Sequence, residues 1–515
     1  MQVPLTIRDF LDRAAIVYPD RVGFVDEPDQ VAPGWGEVTY REMAARAQAL
    51  AVALDRLGVA QGERVAVVSH NAGRLLTAFF GVSGWGRVLV PVNFRLAAEE
   101  VRYIVEHSGA TVLLIDPELE ESLAGVEAKH RFLIGHETDA SLFGIDGSLA
   151  GLEPEPWEPD EDATAVINYT SGTTARPKGV QQTHRSLWLN ATTFGWHTGI
   201  NDRDVFLHTL PMFHCNGWGM PYGTTGMGVK QVVIRKIDGT EILRRVAEHG
   251  VTAMCGAPAV VNMILDAAGT WDGPIPGAGR TRIIVAGAPP PSRTIERVET
   301  ELGWEFIQIY GLTETAPLLT INRGREEWDD LTPGERARKL MRAGAPAIGI
   351  KVAIDDQGEI LGRGNHVLEG YWEQPEATAE AIVDGFHTGD GGTIDDEGYL
   401  AISDRKKDVI ISGGENVSSI EAEDALFSHP AVAEVAVIGV PDERWGELIL
   451  ALVVLAPGET ATEDELREHC RTKLAGYKVP KRIEFRDELA RTATGKLQKF
   501  KLRAPYWEGR DRLVN

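Results

Sequence analysis

The run YTSGTTARPKGV, from Tyr169 to Val180, holds two glycines, five hydroxyl-bearing residues and a lysine. It follows the apolar stretch AVIN. Glycine lets backbone N–H groups approach an anion closely, and hydroxyls add short donors, so the composition suits a phosphate. It is not the familiar nucleotide loop, which places glycine directly before its lysine; here Pro177 precedes Lys178. A solvated flexible loop would share the composition, but not the joint order Ser-Gly-Thr-Thr-x-x-Pro-Lys-Gly. Other candidate chemistry is sparse. Cys215, Cys255 and Cys470 are far apart and lack metal-ligand spacing, which suggests a reducing compartment and no disulfide framework.

Five further segments follow in order: PMFHCNGWG (211–219), IYGLTETAP (309–317), HTGD (387–390), SDRKKDVIISGGENVSSIEAEDAL (403–426) and RTATGK (491–496). With YTSGTTARPKGV they resemble the adenylate-forming superfamily: acyl-CoA synthetases, peptide-synthetase adenylation domains and luciferases. The resemblance covers nearly the whole chain. Ala175 departs from it, standing where the family usually has glycine.

The resemblance implies two half-reactions. A carboxylate attacks the α-phosphate of ATP, giving an acyl-adenylate and pyrophosphate; a thiol then attacks the adenylate carbonyl. The first half brings two anions together and needs cations and oriented donors. Carried over, the motifs imply that Thr170, Ser171, Gly172, Thr173, Thr174 and Lys178 hold the β- and γ-phosphates. Glu314, with Thr170, is the expected Mg²⁺ partner, because a hard cation takes oxygen ligands. Thr313 would face the α-phosphate. Tyr310 would lie against adenine, with Gln308, Ile309 and Gly311 beside it and Gly287, Ala288 and Pro289 as the opposite wall. Asp390 would accept both ribose hydroxyls, with Arg405 nearby. Lys496 would bridge the carboxylate and the α-phosphate, where a compact ammonium suits charge building on both partners. His214 would sit where acid and thiol meet, and Lys407 at a hinge about which a small domain turns. After that turn Gly413 and Gly414 would line a pantetheine tunnel, Trp445 would pack on coenzyme A, Tyr477 would stack on its adenine and Arg95 would meet its phosphates.

Positioning these groups requires an α/β scaffold. Residues 38–135 alternate between helical and strand-like segments: VTYREMAARAQALAVALDRLG, ERVAVVS, RVLVPVN, a helix from Ala97, then TVLLID. AVINYT, VFLHTLP, QVVIRK and RTRIIVAGAPPP continue the pattern. Residues 346–403 read as a small β-rich subdomain with Gly-Asp turns. From residue 405, DVIISGG, a helix from Ser419 to Ser428, VAEVAVIGV, ELILALVVLA and a helix from Glu463 to Ala475 make an α+β unit. The expectation is a large domain over 1–404, of mixed and mostly parallel sheets, and a smaller mobile domain over 405–515.

The 515-residue chain is 43% hydrophobic and has a formal net charge of -24. The dispersed acidic excess argues against nucleic acid. The N-terminus lacks the charge and apolar core of a signal peptide, and no apolar stretch approaches a membrane span. A cytoplasmic protein is expected, with peripheral membrane contact left open; a homodimer is compatible with the sequence. Nothing near the motifs calls for a charged recognition group on the acid. The segment PMFHCNGWGMPYGTTG resembles that of bacterial fatty-acid CoA ligases, and this resemblance implies a medium- to long-chain fatty acid, with aromatic or short substituted acids, and amine or carrier-protein acceptors, as alternatives. A non-catalytic nucleotide binder is disfavoured by the joint retention of Glu314 and Lys496.

Overall fold

The computed structural model describes residues 1–508 except 136, 171–175, 289, 406–407, 413–414, 443 and 492–496; of 404, 405 and 416 it describes the backbone alone. The described residues form four sheets. The first has nine strands, of which Val22–Val25, Lys230–Val233, Val205–His208, Ala253–Gly256, Arg282–Val285 and Glu305–Tyr310 run parallel. The second has seven strands, with Thr164–Thr170, Val88–Val92, Arg64–Val68, Ala110–Ile115 and His130–Leu133 parallel. A four-stranded antiparallel sheet spans Ile350–Arg405, and a five-stranded sheet spans Ile410–Phe485. The mixed α/β architecture with a smaller C-terminal unit matches the expectation from the pattern. The helix expected to reach Ala475 ends at Arg471.

Alternation along the strands explains the layering. Val65 and Val67 point into the largest apolar cluster, Ala66 and Val68 into another. Parallel strands buried on both faces are coated by helices on both. The largest cluster joins both parallel sheets through the helices Arg8–Val17, Tyr40–Arg56, Gly73–Ser83 and Met220–Gly226. Every residue of Gly73–Ser83 is buried, as a helix held between two sheets requires. Tyr40–Arg56 begins at a capping box formed by Thr39 and Glu42. Among the described residues no helix is long and apolar enough to cross a membrane.

This core stores an acid sensitivity. His184, His208 and His366 are at most 3% exposed. Burial pushes each from its ordinary value down to about 4. Nε2 of His208 lies 2.8 Å from Gln231 Oε1, and Nε2 of His366 lies 2.6 Å from the Leu318 carbonyl. Unfolded, these imidazoles take up protons below about pH 6.5 while the native ones do not. Stability is therefore fully present above pH 6.5 and falls as pH drops towards 4. The urea midpoint should be distinctly lower at pH 5.0 than at pH 7.5; an equal midpoint would contradict this account.

Candidate active site

The two described ends of the phosphate-type run are paired strand rather than loop. Thr164–Thr170 pairs antiparallel with Lys178–Thr183, with Tyr169 opposite Gly179 and Thr170 opposite Lys178. The run therefore leads into a strand, not into a helix, and its positive charge comes from Arg176 and Lys178 rather than a helix dipole. Lys178 Nζ lies 4.5 Å from the centre of the Tyr371 ring. The Tyr371 hydroxyl donates to Glu314 Oε1 at 3.0 Å. Burial, then the neighbouring carboxylate, pushes the phenol far above its ordinary value, so it remains a donor. Tyr371 reaches this place because Gly370–Tyr371 pairs with Gln181 and Val180 of the hairpin. The sequence reading passed over it; the Gly-Tyr-Trp at 370–372 carried no spacing signal.

Glu314 sits on the short turn Thr313–Thr315. The Leu368 N–H donates to the Glu314 carbonyl at 2.7 Å, and Thr315 Oγ1 donates to the Pro317 carbonyl at 2.7 Å. The turn leaves the strand Glu305–Tyr310, whose Gln308 pairs with Val285 of the neighbouring parallel strand. Gly287, at φ +97°, and Ala288 thus leave the sheet at the C-terminal end of the strand that neighbours the one ending in Tyr310. The Tyr310 hydroxyl donates to Asp390 Oδ2 at 2.8 Å. Asp390 lies opposite Arg405 in the third sheet. Gln308 is 4% exposed and its Oε1 is buried without a partner among the described residues, which fits a ligand N–H such as an adenine amine. Ile309, 1% exposed, packs in the core and offers a ligand only its backbone.

His214 precedes an unusual turn. Cys215, Asn216, Gly217, Trp218 and Gly219 all have positive φ, from +47° to +79°. Three of them are not glycine, so surrounding contacts must offset the strain. Cys215 and Trp218 are buried in an apolar cluster that also holds Phe194, Leu210, Tyr310 and Leu318. The Phe213 ring meets Phe94 edge-on at 5.5 Å.

The remaining candidates lie apart from this convergence. Arg95 is exposed, its guanidinium 4.8 Å from the Phe94 ring centre. Trp445 is 39% exposed in the turn between Val432–Asp442 and Gly446–Leu455, and Tyr477 is 47% exposed. The small unit touches the large one where Asp424 Oδ1 accepts from the Ser292 N–H at 3.0 Å and Arg293 donates to the His429 carbonyl at 3.1 Å. Ser171, Gly172, Thr173, Thr174, Pro289, Lys407, Gly413, Gly414 and Lys496 lie outside the described residues, as does the Arg405 side chain.

Comparison with known proteins fits this geometry. The family described as AMP-binding enzyme matches residues 11–372, and the AMP-binding enzyme C-terminal domain matches 421–496. A 2-methylpropanoate–CoA ligase of Humulus lupulus is 38% identical, over 97% of this chain and 95% of its own. A Mycobacterium tuberculosis fatty acyl CoA synthetase superposes with a TM-score of 0.72 at 34% identity, covering 97% of this chain and 98% of that one. The o-succinylbenzoate coenzyme A synthetase of Bacillus subtilis, in complex with ATP and magnesium ion, gives 0.78 at 28% identity, covering 96% and 99%.

Proposed function

We propose a function from one premise: the chain belongs to the AMP-binding enzyme family. It is an AMP-forming acid–thiol ligase. An acid carboxylate oxygen bonds to the α-phosphorus of ATP and pyrophosphate leaves; the coenzyme A thiol, losing its proton, then displaces AMP from the acyl carbon. One observation carries the reading. The segment 308–318 meets the phosphate hairpin through Glu314, Tyr371 and Lys178, and the ribose-type carboxylate through Tyr310 and Asp390.

In this reading Lys178 and the hairpin donors hold the phosphates, and Gln308 takes adenine's amine. Asp390, fixed by Tyr310, accepts the ribose hydroxyls. Glu314 and Thr170 offer the hard oxygens that would hold Mg²⁺, which when bound neutralises phosphate charge. Lys496 brings its ammonium to the two joining oxyanions. His214 orients the acid carboxylate, and Trp445 with the Gly413-Gly414 pair serves coenzyme A in the second half.

For the acid, the proposal moves from the medium or long chain expected from sequence to a short, apolar one of about five carbons or fewer. Two findings support it. The 38% identical relative is named for a branched four-carbon acid, and Trp218, 4% exposed, packs its bulky indole in the apolar cluster with Phe194, Leu210 and Tyr310, in the turn that follows His214. A methylene too many in a filled apolar pocket costs about 10–200-fold in kcat/KM. AMP release should be measured with acetate, 2-methylpropanoate, butyrate, hexanoate, palmitate, benzoate and phenylacetate. The expected optimum is 2-methylpropanoate or butyrate. An optimum at palmitate or an aromatic acid overturns the assignment of the acid; no AMP with any acid overturns the ligase.

A further inference from the structure

Four fully buried amide side chains tie the left-handed turn after His214 to the loop that carries Thr313 and Glu314. Asn168, Gln182, Asn190 and Asn216 are each at most 2% exposed. Asn168 Nδ2 donates to the Phe213 carbonyl at 3.3 Å and to Asn216 Oδ1 at 3.2 Å. Asn216 Nδ2 donates to Gln182 Oε1 at 2.7 Å, and Gln182 Nε2 donates to the Thr313 carbonyl at 2.8 Å. Donor follows acceptor from end to end, so the dipoles reinforce one another. Asn190 spans the same two loops separately: its Nδ2 donates to the Trp218 carbonyl and its Oδ1 accepts from the Leu318 N–H, both at 3.3 Å. Gly219 is fitted to that second bridge, since a Cβ there would stand 2.5 Å from Asn190 Nδ2.

Apolar burial alone would satisfy the core at these positions. Amides inside a core are costly unless satisfied, and when satisfied they fix one arrangement; among the described residues every side-chain polar atom of Gln182, Asn190 and Asn216 is engaged, and of these four amides only Asn168 Oδ1 is left without a partner. Asn216 adds a second sign of purpose. It is one of the few residue types that tolerate positive φ, and it sits at +53° with both side-chain ends engaged. The strand that supplies Asn168 ends two residues later at Thr170, so the phosphate hairpin, the acid turn and the Thr313–Thr315 turn are locked to one another.

We propose that this double amide bridge couples acid and nucleotide binding: Gln182, Asn190 and Asn216 are positioning residues that set the acid turn against the α-phosphate side of the nucleotide loop. The inference rests on the function proposed above. Occupancy of either loop then favours the arrangement that the other ligand needs, and the effect is reciprocal.

The test compares wild type with Gln182→Met, which keeps shape but removes both hydrogen bonds, and Asn190→Asp, which keeps the acceptor for Leu318 and removes the donor to Trp218. Calorimetry measures the affinity for 2-methylpropanoate, or for the best acid of the panel, with and without saturating α,β-methylene-ATP. In wild type the analogue tightens the acid. In each variant that factor should fall about 5-fold or more, within the range typical of coupled sites. Affinity for the acid alone should stay within about 2-fold, and adenylation should lose kcat more than KM, as lost transition-state alignment predicts. Folded variants that keep the wild-type factor overturn the proposal, as does a wild type in which the analogue has no effect. Collapse of both variants overturns it in favour of a purely structural role. A wild type that releases no AMP with any acid refutes instead the function on which the proposal rests.

Discussion

Lys496→Ala is expected to lower acyl-adenylate formation by about 10²–10³, the cost of removing one donor aimed at transition-state charge. Thioester formation from supplied acyl-adenylate should stay near wild type. The reason is electrostatic. The first half-reaction joins a carboxylate to a phosphate, and negative charge concentrates on the oxygens between them. An ammonium placed between them would relieve that repulsion more in the transition state than in the separated reactants, so its loss would fall on kcat. The second half-reaction starts from a mixed anhydride whose carbonyl is already activated, and a thiol attacks it; no such pair of anions must meet. Pyrophosphate exchange reads the first half and thiol-dependent AMP release from isolated acyl-adenylate reads the second. Equal loss in both would mean that Lys496 serves a step common to them and would refute the two-arrangement scheme.

Gly311→Ala should be as damaging, for a steric reason. A Cβ at Gly311 would stand 1.5 Å from the Pro317 carbonyl oxygen and 2.7 Å from its carbon. Both are backbone atoms of the loop that carries Glu314, so no side chain can rotate out of the way. The loop must move, and with it Thr313 and Glu314. Displacing a positioned group by about 1 Å can cost on the order of 10²-fold in rate, while overpacking typically destabilises by about 1–3 kcal/mol. Adenylation should fall about 100-fold or more, with a smaller drop in the denaturation midpoint. A variant with wild-type pyrophosphate exchange would show that the 311–317 turn relaxes without cost.

These two predictions stand at opposite ends of what the sequence reveals. Lys496 is a candidate from its Thr-Gly-Lys context and the order of the motifs before it, and its role is a proposal that rests on them. The requirement at Gly311 follows from a chain reversal that brings residue 317 back onto it, and no local pattern announces that. Strand positions such as Arg64–Val68 and Val88–Val92 were legible because apolar runs bounded by turn residues must be buried on both faces. Residue types alone suggest a loop for the phosphate-type run. Its two ends are strand because Lys178–Thr183 gains its hydrogen bonds from Thr164–Thr170, a pairing that residue types alone do not specify.

The sequence by itself determined the class of chemistry, the alternation of strands and helices, and the identity of Lys178, Glu314, Tyr310 and Asp390 as candidates. Only the tertiary structure decided that Tyr371 stands between Lys178 and Glu314, that Tyr310 holds Asp390, and that buried amides join the acid turn to the nucleotide loop. The physical reason is range. Periodicity and turn chemistry act over a few residues and leave a record in the chain. A hydrogen bond between residues 310 and 390, or 182 and 313, exists only after sheets have formed and packed, and its energy depends on a dry interior that no short segment possesses alone.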